Sequence, residues 1–245
     1  MTKVFNELKL LAIAILIAVT IRSFFFEPFH IPSGSMKSNL LTGDFVFVSK
    51  FSYGYSKYSF PFGIMPIKDR IFASEPMRGD VVVFRLPTNP NINYVKRLIG
   101  LPGDKIQVKQ SKLYINGELI KRSDKSEFAT KDHKDKDIVF DQYLETLPSG
   151  KSYNILEEEY NLPQDNTREY VVPEKHYFFL GDNRDNSKDS RFIYDVGFVP
   201  YRNLVGKVEM VFVSYDRSEL PKSFFGRIYE FFFKMRFDRM FKDVD

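Results

Sequence analysis

The sequence predicts a mainly β protein preceded by one apolar N-terminal helix, and three observations carry that reading. A Gly-Asp pair precedes each of three short apolar runs: Gly43-Asp44 before Phe45-Val46-Phe47-Val48, Gly79-Asp80 before Val81-Val82-Val83-Phe84, and Gly103-Asp104 before Lys105-Ile106-Gln107-Val108. A turn signal followed by a short β-prone run marks the start of a strand. Asn116-Gly117, between Leu113-Tyr114-Ile115 and Glu118-Leu119-Ile120, is a two-residue hairpin signal. Ahead of these, Leu10 to Ile21 is the most apolar stretch of the chain, framed by Lys9 and Arg22.

That stretch alone falls short of the roughly 20 residues a spanning helix needs. Counted from Leu8 to Phe26, with Lys9 and Arg22 extending their charges toward the headgroups, it is long enough. A cleaved secretory signal would lead into a small-x-small site, whereas this segment leads into Phe24-Phe25-Phe26-Glu27-Pro28-Phe29-His30. The expectation is an uncleaved anchor over residues 1–27. Charge does not set its orientation, because Lys3 and Lys9 on one side are nearly matched by Arg22 and Lys37 on the other.

Composition excludes several function classes. A formal charge of +4, from 36 basic and 32 acidic residues, gives no case for nucleic-acid binding. With no cysteine there is no disulfide, thiolate metal site or cysteine nucleophile. The three histidines, His30, His133 and His176, show no paired metal-ligand spacing, so neither metal nor cofactor is expected. His30 reads as a membrane-proximal packing residue.

Three further stretches read as peripheral. Lys121 to Asp137 is dense in Lys and Asp without periodicity and reads as an exposed loop. Tyr53 to Phe62 interleaves Tyr, Ser, Gly and Phe and reads as a surface loop with some apolar contact. Ser223 to Lys242 mixes aromatic and basic residues; a helix at a bilayer surface and aromatics docked on the core are equally compatible with it.

Three segments could carry chemistry. In Ile31-Pro32-Ser33-Gly34-Ser35-Met36, Pro32 fixes one torsion and Gly34 permits a tight turn. Such a turn can present a serine hydroxyl beside exposed backbone N–H groups, although Ser-Gly-Ser by itself is also an ordinary loop. In Tyr94-Val95-Lys96-Arg97-Leu98-Ile99-Gly100, alternation puts Lys96 on the face of Tyr94 and Leu98, and Arg97 on that of Val95 and Ile99. If both faces are covered, at least one cation is desolvated. Of the two, only lysine can lose its proton near neutral pH and serve a serine as general base. On an edge strand both cations would simply be solvated. The third segment, Gly181-Asp182-Asn183-Arg184-Asp185-Asn186-Ser187-Lys188-Asp189-Ser190-Arg191, fails as a calcium loop, since Lys188 stands where Gly is needed and Tyr194 where Glu is needed. It reads instead as a polar loop tied by Asp and Arg pairs, able to hold a hydroxyl against the Lys96 amine.

Taken together, Pro-Ser-Gly-Ser-Met at 32–36, Arg-Gly-Asp-Val-Val-Val-Phe at 78–84, Tyr-Val-Lys-Arg-Leu-Ile-Gly-Leu-Pro-Gly-Asp at 94–104 and the 181–191 segment, in this order after an anchor, resemble bacterial type I signal peptidases. The resemblance implies Ser35 as nucleophile and Lys96 as general base. It implies an oxyanion hole formed by the Ser35 N–H and the Ser33 hydroxyl, Ser187 orienting the Lys96 amine, and Asp189 with Arg191 as a supporting pair. It implies an antiparallel coiled β-sheet catalytic core over 28–100 and 175–215 and an inserted β region over 101–174; composition adds a basic aromatic amphipathic C-terminal segment over 216–245. The implied partners are exported preproteins with signal peptides and the lipid bilayer, on the outer (periplasmic) face of the plasma membrane, with a single-pass anchor. One departure stands out: after Met36 the family commonly has a variable residue and then Pro-Thr-Leu, where this chain has Lys37-Ser38-Asn39-Leu40. A self-cleaving Ser-Lys regulator and a catalytically silent tethered β module are the rival readings; the apolar arm argues against the first and the filled catalytic positions against the second.

Overall fold

The computed structural model describes residues 2–60, 65–131, 137–158, 162–216 and 234–244. Helix α1 spans Thr2–Phe24, and its central run from Leu10 to Val19 is apolar on every side. Its segment Lys3–Phe24, of mean hydropathy 2.1 and with none of its most apolar stretch buried against protein, is the one helix among the described residues long and apolar enough to cross a membrane.

Strands β1 (Phe26–His30), β2 (Asp44–Ser49), β3 (Val81–Leu86) and β4 (Asn89–Gly100) open the β domain. Strands β5 (Lys105–Lys109), β6 (Lys112–Ile115), β7 (Glu118–Leu119), β8 (Lys121–Arg122), β9 (Ser126–Lys131), β10 (Asp137–Thr146), β11 (Ser152–Glu157) and β12 (Tyr170–Val171) follow. The chain then returns through β13 (His176–Leu180), β14 (Val199–Pro200), β15 (Leu204–Ser214) and β16 (Lys242–Asp243). The pairings are antiparallel: an eight-stranded sheet ordered β1-β2-β15-β3-β4-β13-β14, with β16 on β15, and two four-stranded sheets built from β8–β11 and from β5–β7 with β12. The fold is thus mainly antiparallel β behind a single apolar helix.

The Gly-Asp pairs explain their strands physically. Gly43, Gly79 and Gly103 adopt φ of +92°, +95° and +84°, open to glycine without strain. The aspartate that follows accepts the backbone N–H three residues upstream, from Leu41, Met77 and Leu101 respectively. Each pair closes a tight turn and launches the next strand. Asn116 and Gly117, at φ +54° and +83°, form the hairpin turn between β6 and β7.

Three expectations need correction, and one open alternative is decided for the described residues. The Lys/Asp-rich stretch is not one continuous loop: 121–122 forms β8 and 126–131 forms β9, with 123–125 between them outside any strand, and β9 is an edge strand on β10, where solvated charge is tolerated and discourages further pairing. His133 lies outside the described residues. The Tyr/Ser-rich stretch is not merely superficial, because Tyr53 is buried with its hydroxyl on Asp80 at 3.0 Å. It also brackets the exit of α1: the Tyr55 hydroxyl donates to Phe24 O at 2.9 Å, and the Phe24 ring packs edge-on against Tyr55 and Phe60. Phe26 already belongs to β1 rather than to the helix, and Glu27 ties the junction through ion pairs to Arg22 and to the buried Lys50. Of the tail, 217–233 lies outside the described residues. Of the two readings open for the tail, the described part, 234–244, fits docking on the core: it carries one short 3-10 turn at Phe237–Arg239, β16 pairs with β15, and Val244 joins the apolar cluster around Ile31, Met36 and Leu40.

Candidate active site

The Ser-Gly-Ser turn lies between β1 and β2, anchored by what flanks it. Ile31, Met36 and Leu40 are buried in the core, while Ser33 stays exposed and Ser35 half-buried. Two short-range hydrogen bonds, Lys37 N to Gly34 O and Leu40 N to Met36 O, curl the chain after the serine. His30 packs its ring on Phe45, its register partner, consistent with a packing role.

Lys96 lies on β4 opposite Val82 of β3. The strand is covered on both faces at this point: Lys96 is 4% exposed and Arg97 fully buried. Arg97 points toward Asp182, which accepts its Nε and Nη2 at 2.9 Å each, and stacks over the Tyr153 ring at 4.1 Å. Lys96 points the other way, its Nζ 2.5 Å from Ser35 Oγ and 3.0 Å from Val95 O, with the Tyr94 ring 5.3 Å away. Burial pushes the Lys96 amine down to about 8; Asp189 and Asp182 pull against this, and Arg191 adds to it. No carboxylate within salt-bridge distance of Lys96 occurs among the described residues.

The 181–191 loop frames the pair from below. Asp189 is fully buried, and although burial opposes its charge, Arg191 in a two-pronged pair (2.9 Å to each oxygen) and the Gly181 N–H hold its carboxyl below the ordinary range. Gly181 has no room for a side chain: a Cβ there would collide with Ser187 Oγ and lie 2.6 Å from Ser35 O. The Ser187 hydroxyl is buried above Gly181 and makes no hydrogen bond to the Lys96 amine.

Of the residues singled out from sequence, Ser35 and Lys96 meet directly, and Ser33 Oγ is 3.4 Å from Ser35 Oγ. Asp189 and Arg191 pair beneath them. Two residues in the quoted motif had no role assigned: Asp182, the partner of Arg97, and Asn183, whose N–H donates to Ser35 O and whose Nδ2 donates to Gly34 O, both at 3.1 Å. Their position in a motif was the only available signal, because their partners lie far off in the chain. Arg184, in a buried pair with Glu145 of β10, extends the framework into the sheet built from β8–β11. Among the described residues there is no cluster of His, Asp and Glu fit for a metal ion.

Comparison with known proteins adds to this geometry. Signal peptidase I of Rickettsia akari (strain Hartford) is 46% identical over 211 residues, covering 83% of this chain and 77% of that protein. Signal peptidase I of Rickettsia prowazekii (strain Madrid E) is 44% identical over 217 residues, covering 85% and 80%. A crystal structure of a signal peptidase I from Enterococcus faecalis V583 is 26% identical, covering 55% of this chain and 97% of that one, with a TM-score of 0.33. The profile of the family described as signal peptidase, peptidase S26, matches residues 4–213, which span most of the helix, both serines and Lys96. The chain belongs to the signal peptidase, peptidase S26 family and is a serine peptidase.

Proposed function

We propose that this protein is a membrane-bound endopeptidase that removes N-terminal signal peptides from exported preproteins, with Ser35 as nucleophile and neutral Lys96 as general base. The observation that carries the assignment is the 2.5 Å contact between Ser35 Oγ and a desolvated amine whose pKa lies at about 8. Val95 O takes one amine hydrogen, which orients the nitrogen and leaves its lone pair for the serine proton.

In the acylation step Ser35 Oγ bonds to the scissile carbonyl carbon while its proton passes to Lys96 Nζ. The Ser35 N–H is free of the turn's own hydrogen bonds, and with the Ser33 hydroxyl it holds the oxyanion. Collapse breaks the C–N bond, and the Lys96 ammonium returns the proton to the leaving amine. A water then attacks the acyl-enzyme, with Lys96 again as base and Ser35 as leaving group. Asp189 and Arg191 support the floor of the site, and Ser187, packed against Gly181, is the residue we assign to orienting the amine.

Helix α1 serves as a single-pass anchor that keeps the domain at the outer face of the plasma membrane, where the hydrophobic part of a signal peptide also resides. Tethering both in one bilayer raises the effective concentration of the scissile bond. The test is a preprotein-processing assay on the purified full-length protein. Ser35→Ala and Lys96→Ala are expected to abolish cleavage, and Lys96→Arg not to restore it, since a guanidinium keeps its proton. Processing by Ser35→Ala at the wild-type rate would sink the assignment.

A further inference from the structure

The turn after the proposed nucleophile carries two polar side chains that the chemistry above leaves unused. Ser38 adopts φ +84°, a left-handed conformation that proline, fixed near −65°, cannot reach. Its hydroxyl donates to Asn154 O of β11 at 3.1 Å. Asn39 Nδ2 donates to the same carbonyl at 2.8 Å and to Asp182 Oδ2 at 2.7 Å. Both of its amide hydrogens are therefore committed.

These bonds close a ring through the site. From Ser35 the chain runs to Asn39, across to Asp182, through the paired Arg97 to its neighbour Lys96, and from Lys96 Nζ back to Ser35 Oγ. Asn183, adjacent to Asp182, adds its two bonds to the Gly34 and Ser35 carbonyls. On the other side, Asn39 O accepts Arg239 Nη2 at 2.9 Å, and the same guanidinium pairs with the buried Asp44. Arg239 lies beyond residues 4–213, which the family profile matches.

We infer that Asn39 is a positioning residue: its carboxamide sets the separation of Ser35 and Lys96 by tying the nucleophile turn to the Asp182–Arg97 pair, while Arg239 holds its carbonyl from the tail. The inference rests on the Ser35/Lys96 reading given above. The charged groups facing Asn39 are Asp182 and Arg97 on the amide side, and Arg239 and Asp44 on the carbonyl side.

The carboxamide can be tested because aspartate has the same shape and the opposite hydrogen-bonding capacity. In Asn39→Asp a second carboxylate faces Asp182; two such groups at hydrogen-bond distance share a proton and titrate as a raised pair. While that proton is present, one donor is restored. Once it is lost, like charges separate the turn from Asp182.

The experiment measures kcat and KM of full-length wild type, Asn39→Asp, Asn39→Ala and Asn39→Thr on a preprotein-derived peptide across the neutral range of pH, with unfolding midpoints for each. Asn39→Ala is expected to lower kcat roughly tenfold at every pH, with KM within about twofold. Asn39→Thr, which retains one donor, is expected to fall between alanine and wild type. A second carboxylate beside Asp182 also raises the Lys96 amine, as Asp182 does, so each profile is fitted for its own Lys96 limb; for Asn39→Asp the limb-corrected ratio of its kcat to that of wild type is expected to fall as pH rises. A ratio flat in pH, wild-type kcat in Asn39→Ala, or a loss accounted for by a reduced folded fraction would overturn the inference. Ser35→Ala in parallel separates the two readings: if it still cleaves, the nucleophile assignment fails, whereas an inactive Ser35→Ala alongside fully active Asn39 variants defeats the positioning role alone.

Discussion

Under the proposed Ser35/Lys96 mechanism, the pH dependence of cleavage follows from one group. Lys96 is desolvated by its burial, and its amine is lowered to about 8. The active fraction at a given pH is the neutral fraction, 1/(1 + 10^(8 − pH)), which is about 1% at pH 6, about 9% at pH 7 and about 50% at pH 8. The value of kcat/KM is therefore expected to rise about fiftyfold between pH 6 and pH 8, with unit slope on the acid side. The assay is initial-rate cleavage of a peptide with no group titrating in that range, so that the limb belongs to the free enzyme. Asp189→Asn supplies the direction: the Asp189 charge favours the ammonium, and its removal is expected to move the limb to lower pH. A limb centred near the ordinary lysine value, or one that moves upward in Asp189→Asn, would refute the desolvated-lysine argument.

Other predictions follow from the same residues. The Lys96 pKa in the folded protein lies below its unfolded value of 10.5, so between about 8 and 10.5 the unfolded chain holds a proton that the folded one lacks; stability rises with pH across that window and carries a penalty of roughly 3 kcal/mol below it. Lys96→Met is accordingly expected to be inactive yet melt higher than wild type at pH 7, with the gap closing toward pH 10; a lower melting temperature at pH 7 would count against the linkage. Gly181→Ala forces Ser187 and the Ser35 carbonyl apart and is expected to cost about 1–3 kcal/mol of stability and most of the activity, measured by denaturant unfolding and peptide cleavage. Arg239→Met leaves Asp44, fully buried, without its closest cation and is expected to destabilise by about 3 kcal/mol; adding Asp44→Asn should recover part of that, and an additive double-mutant cycle would show the pair to be uncoupled.

What was legible in the sequence was local. A glycine with positive φ followed by an aspartate that accepts a nearby N–H is a complete device within four residues, which is why the starts of β2, β3 and β5 could be read directly. Asn116-Gly117 is another such device. What was not legible depends on distant partners. Asn39 and Asp182 are 143 residues apart, and nothing near either announces the other. The same holds for Arg239, which reads as part of a basic aromatic run but ends on Asp44, 195 residues away. The 126–131 stretch misled for a different reason: an edge strand can carry charge on the face that water reaches, so polarity without period did not exclude pairing.

Lys96 and Arg97 show how local and distant information combine. Alternation requires that two successive side chains of a strand leave on opposite faces, and here both faces are dry. Two adjacent cations cannot both be buried unpaired, because each would bear a desolvation cost of several kcal/mol. The fold resolves them differently. Arg97, whose charge is permanent, receives Asp182 and the Tyr153 ring, and despite burial it is held above its ordinary range. Lys96 receives a serine hydroxyl and a carbonyl but no carboxylate in contact, and burial lowers its amine instead. The order of the two residues therefore matters as much as their presence. Exchanging them would put a group that keeps its proton against Ser35 and leave a weaker, single-pronged partner for Asp182. A strand bearing Lys-Arg in this register can supply a base on one face only because the other face carries a paired, permanent charge.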